Sequence, residues 1–211
     1  MKTAMIFGAS GGIGSAIGQY LDKKDFSIIA SIRHLNGKNL DFADMIVQGD
    51  LALDSDVKKM LRECAEEVDQ IDLWVYAAGD IHNARIDEQK AEEWRRIYDA
   101  NLFGVQRALT ASIPLLANDA HIILIGAYTD RLTVPGLSAY TTSKAALTAY
   151  SAIIAKEQRG KKVSLIRPSA VATSFWEKVP FRLPADALQP HDVAEKIFSA
   201  YEQGLTGLVD M

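Results

Sequence analysis

The chain is poor in cysteine and has no long apolar run, and each absence excludes a class of protein. Cys64 is the only cysteine among 211 residues, so no disulfide can form within the chain, which is typical of proteins from reducing compartments. No stretch approaches the ~20 apolar residues that a membrane-spanning helix requires. The apolar run after Lys2 and Thr3 is too short for a signal peptide and leads directly into glycines. We therefore expect a cytoplasmic protein that does not contact membranes.

The sequence also lacks a run of basic residues. Its formal net charge is −4 at pH 7, and without clustered lysine and arginine we expect no nucleic-acid partner. Hydrophobic residues make up 48% of the chain and charged residues 24%, which is the balance of a globular protein. This length suits one domain, so residues 1–211 are expected to form a single one. We expect no metal site, because no metal-ligand spacing is found among the four histidines, which are His34, His82, His121 and His191.

Short apolar runs alternate with longer amphipathic stretches along the whole chain. This alternation predicts an α/β fold, a doubly wound parallel sheet of about seven strands (a Rossmann fold). The predicted strands are 4–7, 27–32, 45–47, 73–76, 121–125, 163–167 and 207–209, and the predicted helices are 13–23, 55–68, 87–116, 138–158 and 192–203. Segment 174–188 contains Pro180 and Pro184 without clear periodicity, and we predict that it forms a short lid.

Glycines directly follow the first predicted strand, in the spacing Gly8-x-x-x-Gly12-x-Gly14. Glycine lets a backbone turn sharply and approach a pyrophosphate closely, and the following helix offers free N–H groups and a positive dipole end. Ser10 can add a hydroxyl donor. The alternative is a strand-to-helix turn without a ligand, but the position between a strand and an amphipathic helix favours phosphate binding.

The end of the second predicted strand carries no carboxylate. An NAD-preferring site places Asp or Glu there to accept from the ribose 2′-hydroxyl, whereas this chain has Ser31 and Arg33. A guanidinium fork suits a 2′-phosphate, so NADP(H) is favoured over NAD(H); the alternative is that Arg33 is a solvated surface charge. Asp50, after the third strand, is placed either to accept from the adenine amino group or to cap its own loop.

Tyr140 and Lys144 are four residues apart at the start of a predicted helix, so both face the same side. An ammonium close to a phenol stabilises the phenolate and lowers its pKa. Tyr140 could then donate or accept a proton for a carbonyl/alcohol pair. Such a pair alone occurs by chance in many helices.

Four motifs in order make the chain resemble the compact branch of the short-chain dehydrogenase/reductase family: the glycine loop, Ala77-Ala78-Gly79, Asn101-Leu102-Phe103-Gly104 and Tyr140-x-x-x-Lys144. The resemblance implies that Tyr140 is the acid/base and that Lys144 tunes it and holds the nicotinamide ribose. It implies that Asn101 bends a helix and holds a relay water, the alternative being a polar residue satisfied within the helix.

The resemblance also implies a close approach of the adenosine side of the cofactor at Gly79, and contacts of Val171 and Thr173 with the carboxamide of the nicotinamide. The predicted cofactor-binding residues are Gly8, Ser10, Gly11, Gly12, Ile13, Gly14, Ser31, Arg33, Asp50, Leu51, Ala78, Gly79, Asn101, Tyr140, Lys144, Pro168, Val171 and Thr173.

Three positions depart from the family pattern. Ala127 lies where the family has a serine that donates to the substrate oxygen, and losing one such donor typically costs about 10²–10³ in rate. Thr129 or Tyr128 could substitute for it. The family's Asn-Asn-Ala-Gly is Tyr76-Ala77-Ala78-Gly79 here, and its Pro-Gly is Pro168-Ser169. Ser169 must avoid a strained φ or adopt it at some cost.

The predicted lid carries Phe175 and Trp176 near Lys178 and Arg182. These aromatic side chains are expected to contact a modest, partly apolar carbonyl compound, or alternatively to pack the lid onto the core. The candidate substrate-binding residues are Ala127, Tyr128, Thr129, Phe175 and Trp176. The family resemblance implies a homodimer or homotetramer through the two long central helices.

Two functions remain open. The first is an NADP(H)-dependent oxidoreductase that interconverts a carbonyl and an alcohol on a small molecule, indicated by Tyr140, Lys144 and Asn101. The second is a catalytically weak or inactive NADP(H) sensor or scaffold, indicated by Ala127. Sugar-nucleotide epimerase chemistry is disfavoured, because the chain has no room for the larger substrate domain of such enzymes.

Overall fold

The computed structural model describes residues 1–35 and 39–211, whose strands form one seven-stranded sheet in the order β3-β2-β1-β4-β5-β6-β7. Every neighbouring pair is parallel, and the order reverses at β1, as in a doubly wound sheet. The strands are β1 (Lys2–Phe7), β2 (Phe26–Ile32), β3 (Met45–Gln48), β4 (Ile71–Tyr76), β5 (Leu116–Ile125), β6 (Lys162–Arg167) and β7 (Gly207–Asp210). The predicted Rossmann fold is confirmed.

Helices cover both faces of the sheet, as parallel strands require. They are α1 (Gly12–Asp22), α2 (Asp54–Glu67), α3 (Ala91–Tyr98), α4 (Gly104–Ser112), α5 (Ser138–Glu157) and α6 (Pro190–Glu202). One core packs α1 and α6 on the sheet, and the other packs α2, α4 and α5. No helix in the described ranges is long and apolar enough to cross a membrane.

The predicted helix over 87–116 is wrong at both ends and in its middle. Helix α3 begins only at Ala91, a π-helical turn (Asp99–Phe103) separates α3 from α4, and residue 116 already belongs to β5. Pro114, which cannot donate an amide hydrogen bond, lies in a 3-10 turn (Ile113–Leu115) that ends the helical run.

The π turn brings the carbonyl of Ala100 within reach of a buried side chain. The hydroxyl of Tyr76, at the end of β4, donates to this carbonyl over 2.9 Å. A Cβ on Gly104 would collide with the same hydroxyl. The end of strand β4 and the π turn therefore pack tightly against each other. The helical periodicity of the sequence cannot predict such a contact between distant residues.

The predicted lid begins with a 3-10 helix (Ser174–Lys178). Its two ends are joined where Val171 pairs with Leu188 in a parallel bridge, and the Trp176 indole N–H donates to the Val171 carbonyl over 2.9 Å. The segment is thus a loop whose base is closed by backbone pairing.

Candidate active site

The glycine loop leaves no room for side chains where it leads from β1 into α1. Gly8 has φ +80°, and a Cβ there would lie 2.5 Å from the backbone nitrogen of Ala78. A Cβ on Gly14 would collide with the carbonyl oxygen of Gly8. Helix α1 begins without a side-chain cap, because its N-cap residue is Gly11. Its first amide groups are therefore available to an acceptor in the crevice, the property that suits a phosphate.

Three predicted site residues converge on Gly79, at the carboxyl end of β4. A Cβ on Gly79 would lie 2.9 Å from Asn101 Oδ1, 3.6 Å from Phe175 Cζ and 3.9 Å from Lys144 Nζ. Gly79 lies in the loop after β4 and Asn101 lies in the π turn. Phe175 lies in the 3-10 helix Ser174–Lys178, and Lys144 lies in α5. The tertiary fold thus gathers the family motifs at one end of the crevice.

Asn101 is fully buried and its amide joins two elements. Its Oδ1 accepts from the backbone nitrogen of Asp80 over 3.0 Å, and its Nδ2 donates to the carbonyl of Asp80 over 2.8 Å and to Ser143 Oγ over 3.1 Å. Ser143 Oγ in turn donates to the Tyr140 carbonyl over 2.7 Å. Asn101 therefore holds the loop after β4 against the first turn of α5.

Lys144 and Tyr140 lie on the first two turns of α5. Lys144 is 5% exposed, its ammonium donates to the carbonyl of Ile125 over 2.8 Å, and burial lowers its pKa to about 8. Burial raises the pKa of Tyr140 to about 12. This direction is opposite to the lowering predicted from sequence, because burial disfavours the charged phenolate.

A cavity of about 350 Å³ opens beside the ends of β2 and β3. It is lined by Arg33, His34, Gln48, Gly49, Asp50, Asp56 and Lys59. Asp50 Oδ1 accepts from the Ala52 nitrogen over 2.9 Å, so its carboxylate makes the loop-capping bond that was one of its two predicted roles. Ser31 is only 1% exposed, and its hydroxyl points to the Met60 sulfur at 3.4 Å. Ser31 therefore lies in the core, outside this cavity.

The region around Ala127, where the family has a serine, is apolar at its centre. Ala127 is buried, and Thr129 begins a short 3-10 turn (Thr129–Arg131). The Tyr128 ring lies 5.1 Å from the Arg167 guanidinium, which forms paired hydrogen bonds with Asp210 over 2.7 and 2.9 Å. Tyr128 is thus packed toward the β6–β7 side of the sheet.

Residues after β6 reach back over the crevice. A Cβ on Gly12 would lie 2.6 Å from Thr173 Cγ2, and the Phe175 and Tyr140 ring centroids are 6.5 Å apart. Pro168 is buried directly after β6. Ser169 avoids the strained backbone, since Asp25 is the only non-glycine residue with positive φ in the described parts of the chain.

Sequence reasoning missed Asp80. Its carboxylate pairs with Lys178 Nζ over 2.7 Å and with the Arg96 guanidinium, and its side chain is only 12% exposed. The signal available in the sequence was its place directly after Gly79, where a charged residue must lie at the mouth of the crevice.

The chain is similar to known proteins over most of its length. The family model described as short chain dehydrogenase matches residues 2–182, a range that includes every predicted site residue. An uncharacterized oxidoreductase of Staphylococcus epidermidis is 28% identical over 211 residues, covering 96% of this chain and 91% of the relative. Another, from Methylorubrum extorquens, is 27% identical over 183 residues, covering 82% of this chain and 74% of that protein.

Solved structures share the fold over nearly the full length. An alcohol dehydrogenase from the archaeon Thermococcus sibiricus, complexed with 5-hydroxy-NADP, is similar with a TM-score of 0.90 at 23% identity, covering 100% of this chain and 96% of that one. A ligand-free aldohexose dehydrogenase of Thermoplasma acidophilum has a TM-score of 0.86 at 25% identity, covering 99% and 92%.

Proposed function

We propose that this chain, which belongs to the short-chain dehydrogenase family, interconverts a carbonyl and an alcohol on a small molecule with NADP(H), using Tyr140 as the acid/base. Family membership makes it an oxidoreductase. The cofactor, the substrate class and the role of Tyr140 are the proposal. The observation that carries it is the convergence of Asn101, Lys144 and Phe175 at Gly79, at the same sheet edge as the glycine loop.

The loop from β1 to α1 suits a dinucleotide because only glycine can form its tight turn. A Cβ on Gly8 would collide with Ala78, and one on Gly14 would collide with the carbonyl of Gly8, so glycine at both positions lets the backbone bring the first amides of α1 close to a pyrophosphate. The amides at the start of α1 would hold the phosphates, Lys144 the nicotinamide ribose, and Val171 with Thr173 the carboxamide. The bound dinucleotide supplies or accepts the hydride.

The 350 Å³ cavity supports NADP(H) over NAD(H). Arg33, His34 and Lys59 line it, and β2 ends without a carboxylate to accept from a ribose 2′-hydroxyl. A 2′-phosphate placed there would find the Arg33 guanidinium and the Lys59 ammonium from two elements, beside the carboxylates of Asp50 and Asp56. The similar archaeal alcohol dehydrogenase was solved with 5-hydroxy-NADP, which agrees with this preference.

Tyr140 is suited to give a proton to the substrate oxygen in the reducing direction. With a pKa of about 12 its phenol is neutral at pH 7. In the oxidising direction it must act as a base, and that requires a nearby positive charge to lower its pKa. Lys144, one turn along α5, supplies this charge if its ammonium leaves the Ile125 carbonyl.

The substrate is expected to lie between Tyr140 and the segment 174–188, against Phe175 and Trp176. Residues 1–211 would then form one dinucleotide-binding domain, with this segment as its substrate lid. A homodimer or homotetramer would use α4 with the preceding π turn, where Phe103 is 43% exposed, and α5, where Ile153 is 51% exposed.

The decisive experiment compares Tyr140→Phe with Tyr150→Phe, a matched change on the same helix. NADPH and NADH are titrated by fluorescence, and turnover is measured on a panel of aldehydes and ketones. We expect tighter binding of NADPH, and at least a ~100-fold loss of turnover in the Tyr140 variant with cofactor binding kept. Full turnover by Tyr140→Phe would reject its role, and tighter NADH binding would reject the cofactor preference.

The buried methyl group of Ala127 favours one second candidate, a catalytically weak NADP(H) sensor or scaffold. Ala127→Ser restores a hydroxyl at this position and tests it directly. For an enzyme the added donor raises turnover or leaves it similar. For a sensor, no carbonyl compound is reduced by either protein, and a partner protein binds differently in the presence of NADP⁺ and NADPH.

A further inference from the structure

The short 3-10 helix of the lid contacts the crevice at three separate points. Thr173, just before it, lies against Gly12 of the glycine loop. Phe175 lies against Gly79, and Lys178 pairs with Asp80 over 2.7 Å. These contacts span the crevice from the phosphate end to the end that holds Lys144.

The Phe175 ring lies close to Tyr140 and to Lys144, the residue that is proposed to hold the nicotinamide ribose. Its Cζ lies 3.6 Å from the position of a Cβ on Gly79, and Lys144 Nζ lies 3.9 Å from that same position. The ring also lies edge-on to Tyr140, with 6.5 Å between centroids. An aromatic ring and a ribose cannot both fill this space, since protein interiors are close-packed.

The ion pair between Lys178 and Asp80 is buried on its Asp80 side and exposed on its Lys178 side. The backbone of Asp80 is held through both its N–H and its carbonyl by the Asn101 amide, whereas the Lys178 side chain is 48% exposed. The Lys178 ammonium also lies 5.5 Å from the Phe175 centroid. Lys178 thus contacts both the Asp80 carboxylate and the Phe175 ring.

The pair can open without leaving a buried charge alone. Asp80 keeps Arg96 as a partner when Lys178 leaves, so the large penalty of an unpaired buried carboxylate does not arise. Burial lowers the pKa of Lys178, and the positive charges of Arg96 and Arg33 lower it further. The surroundings therefore favour release of Lys178 once another group competes for the crevice.

From these contacts we infer that Phe175 and the Lys178–Asp80 ion pair form an autoinhibitory latch, which keeps the crevice closed until a dinucleotide displaces the ring. The inference rests on the proposed function. Binding then requires opening of the lid, and the ion pair sets how often it opens.

The test is stopped-flow mixing of the full chain with NADPH, followed by tryptophan fluorescence, for wild type, Lys178→Met and Lys196→Met. Lys196 is an exposed lysine of α6, so its change alters net charge equally. For the wild type we expect an observed rate that levels off at high NADPH because opening is limiting. Lys178→Met should raise this plateau by about 3- to 10-fold and tighten NADPH binding similarly, while Lys196→Met should match wild type.

A readout without nucleotide separates the two proposals. Amide hydrogen exchange over residues 173–182 should be faster in Lys178→Met and in Phe175→Ala than in wild type. If wild type binds NADPH but Lys178→Met leaves its rate and affinity unchanged, or weakens them, the latch is overturned and the proposed function stands. If neither NADPH nor NADH binds any of these proteins, the proposed function fails, and the latch fails with it.

Discussion

The two walls of the crevice are built from different kinds of contact. The sheet-side wall consists of backbone from the glycine loop and of buried side chains such as Asn101, which is fully buried, and Lys144, which is 5% exposed. The lid-side wall, Ser174–Lys178, is held by a partly exposed ion pair, one indole hydrogen bond and one ring contact. We therefore expect the sheet side to be preorganised and the lid side to open at small cost in free energy.

The sharpest test of this contrast is Gly8→Ala, matched with Gly207→Ala. Both glycines have φ +80°, but a Cβ on Gly8 would lie 2.5 Å from the Ala78 nitrogen, whereas nothing lies within 4 Å of one on Gly207. We expect Gly8→Ala to lower the free energy of unfolding by about 4 kcal/mol and to abolish NADPH binding, and Gly207→Ala to lower it by about 1 kcal/mol. Urea denaturation measures both. Equal losses of stability in the two variants would show that the positive φ, and not the collision with Ala78, causes the effect.

Replacing Asn101 by Ala should be nearly as damaging. It leaves the N–H and carbonyl of Asp80 without their side-chain partner in a buried place, and we expect a loss of about 3 kcal/mol in the free energy of unfolding. Gln106→Ala, which removes an exposed hydrogen bond to Thr110, is the control and should change it by less than about 0.5 kcal/mol. A mild effect at Asn101 would mean that the sheet-side wall is less rigid than its contacts indicate.

Lys144 gives the sheet-side wall a pH dependence. Its pKa is about 8 in the folded chain, against 10.5 as the ordinary value, so between these values the unfolded chain binds more protons and stability rises with pH. We expect the free energy of unfolding to increase by up to about 3 kcal/mol between pH 8 and 10.5 from this residue, and Lys144→Met to flatten the profile. If the free energy of unfolding of the wild type falls over this pH range relative to that of Lys144→Met, the expectation is wrong.

The smallest effect is expected on the lid-side wall. Trp176→Phe removes the hydrogen bond to the Val171 carbonyl, and we expect less than about 1 kcal/mol of global stability to be lost. Limited proteolysis should instead show faster cleavage within residues 174–188. Global destabilisation as large as that of Asn101→Ala would erase the distinction between the two walls.

The fold and the place of the glycine loop could be predicted because they depend on local patterns. Alternating apolar runs predicted all seven strands, six of them to within two residues and β5 five residues short at its start, since a strand covered on both faces must be apolar. The helix over 87–116 was predicted wrongly, because Tyr76 and Gly104, which match the π turn to β4, are far from each other in sequence.

The candidate site could be predicted only in part. The motifs named Asn101, Tyr140 and Lys144, which the structure brings to neighbouring positions around Gly79 and the first turns of α5. The direction of the Tyr140 pKa and the burial of Ser31 against Met60 could not be read from spacing, because both depend on what each side chain packs against.

The alternation of apolar runs and amphipathic stretches by itself determined that this protein has a Rossmann fold. Four motifs in order gave the resemblance to the short-chain dehydrogenase family, to which the chain belongs. Only the tertiary structure decided which partners the polar groups choose: Asn101 binds Asp80 from 21 residues away, and Lys178 reaches Asp80 from 98 residues away. Local sequence sets backbone preference and the face of each residue, whereas a hydrogen bond between distant residues depends on the packed fold that brings them together.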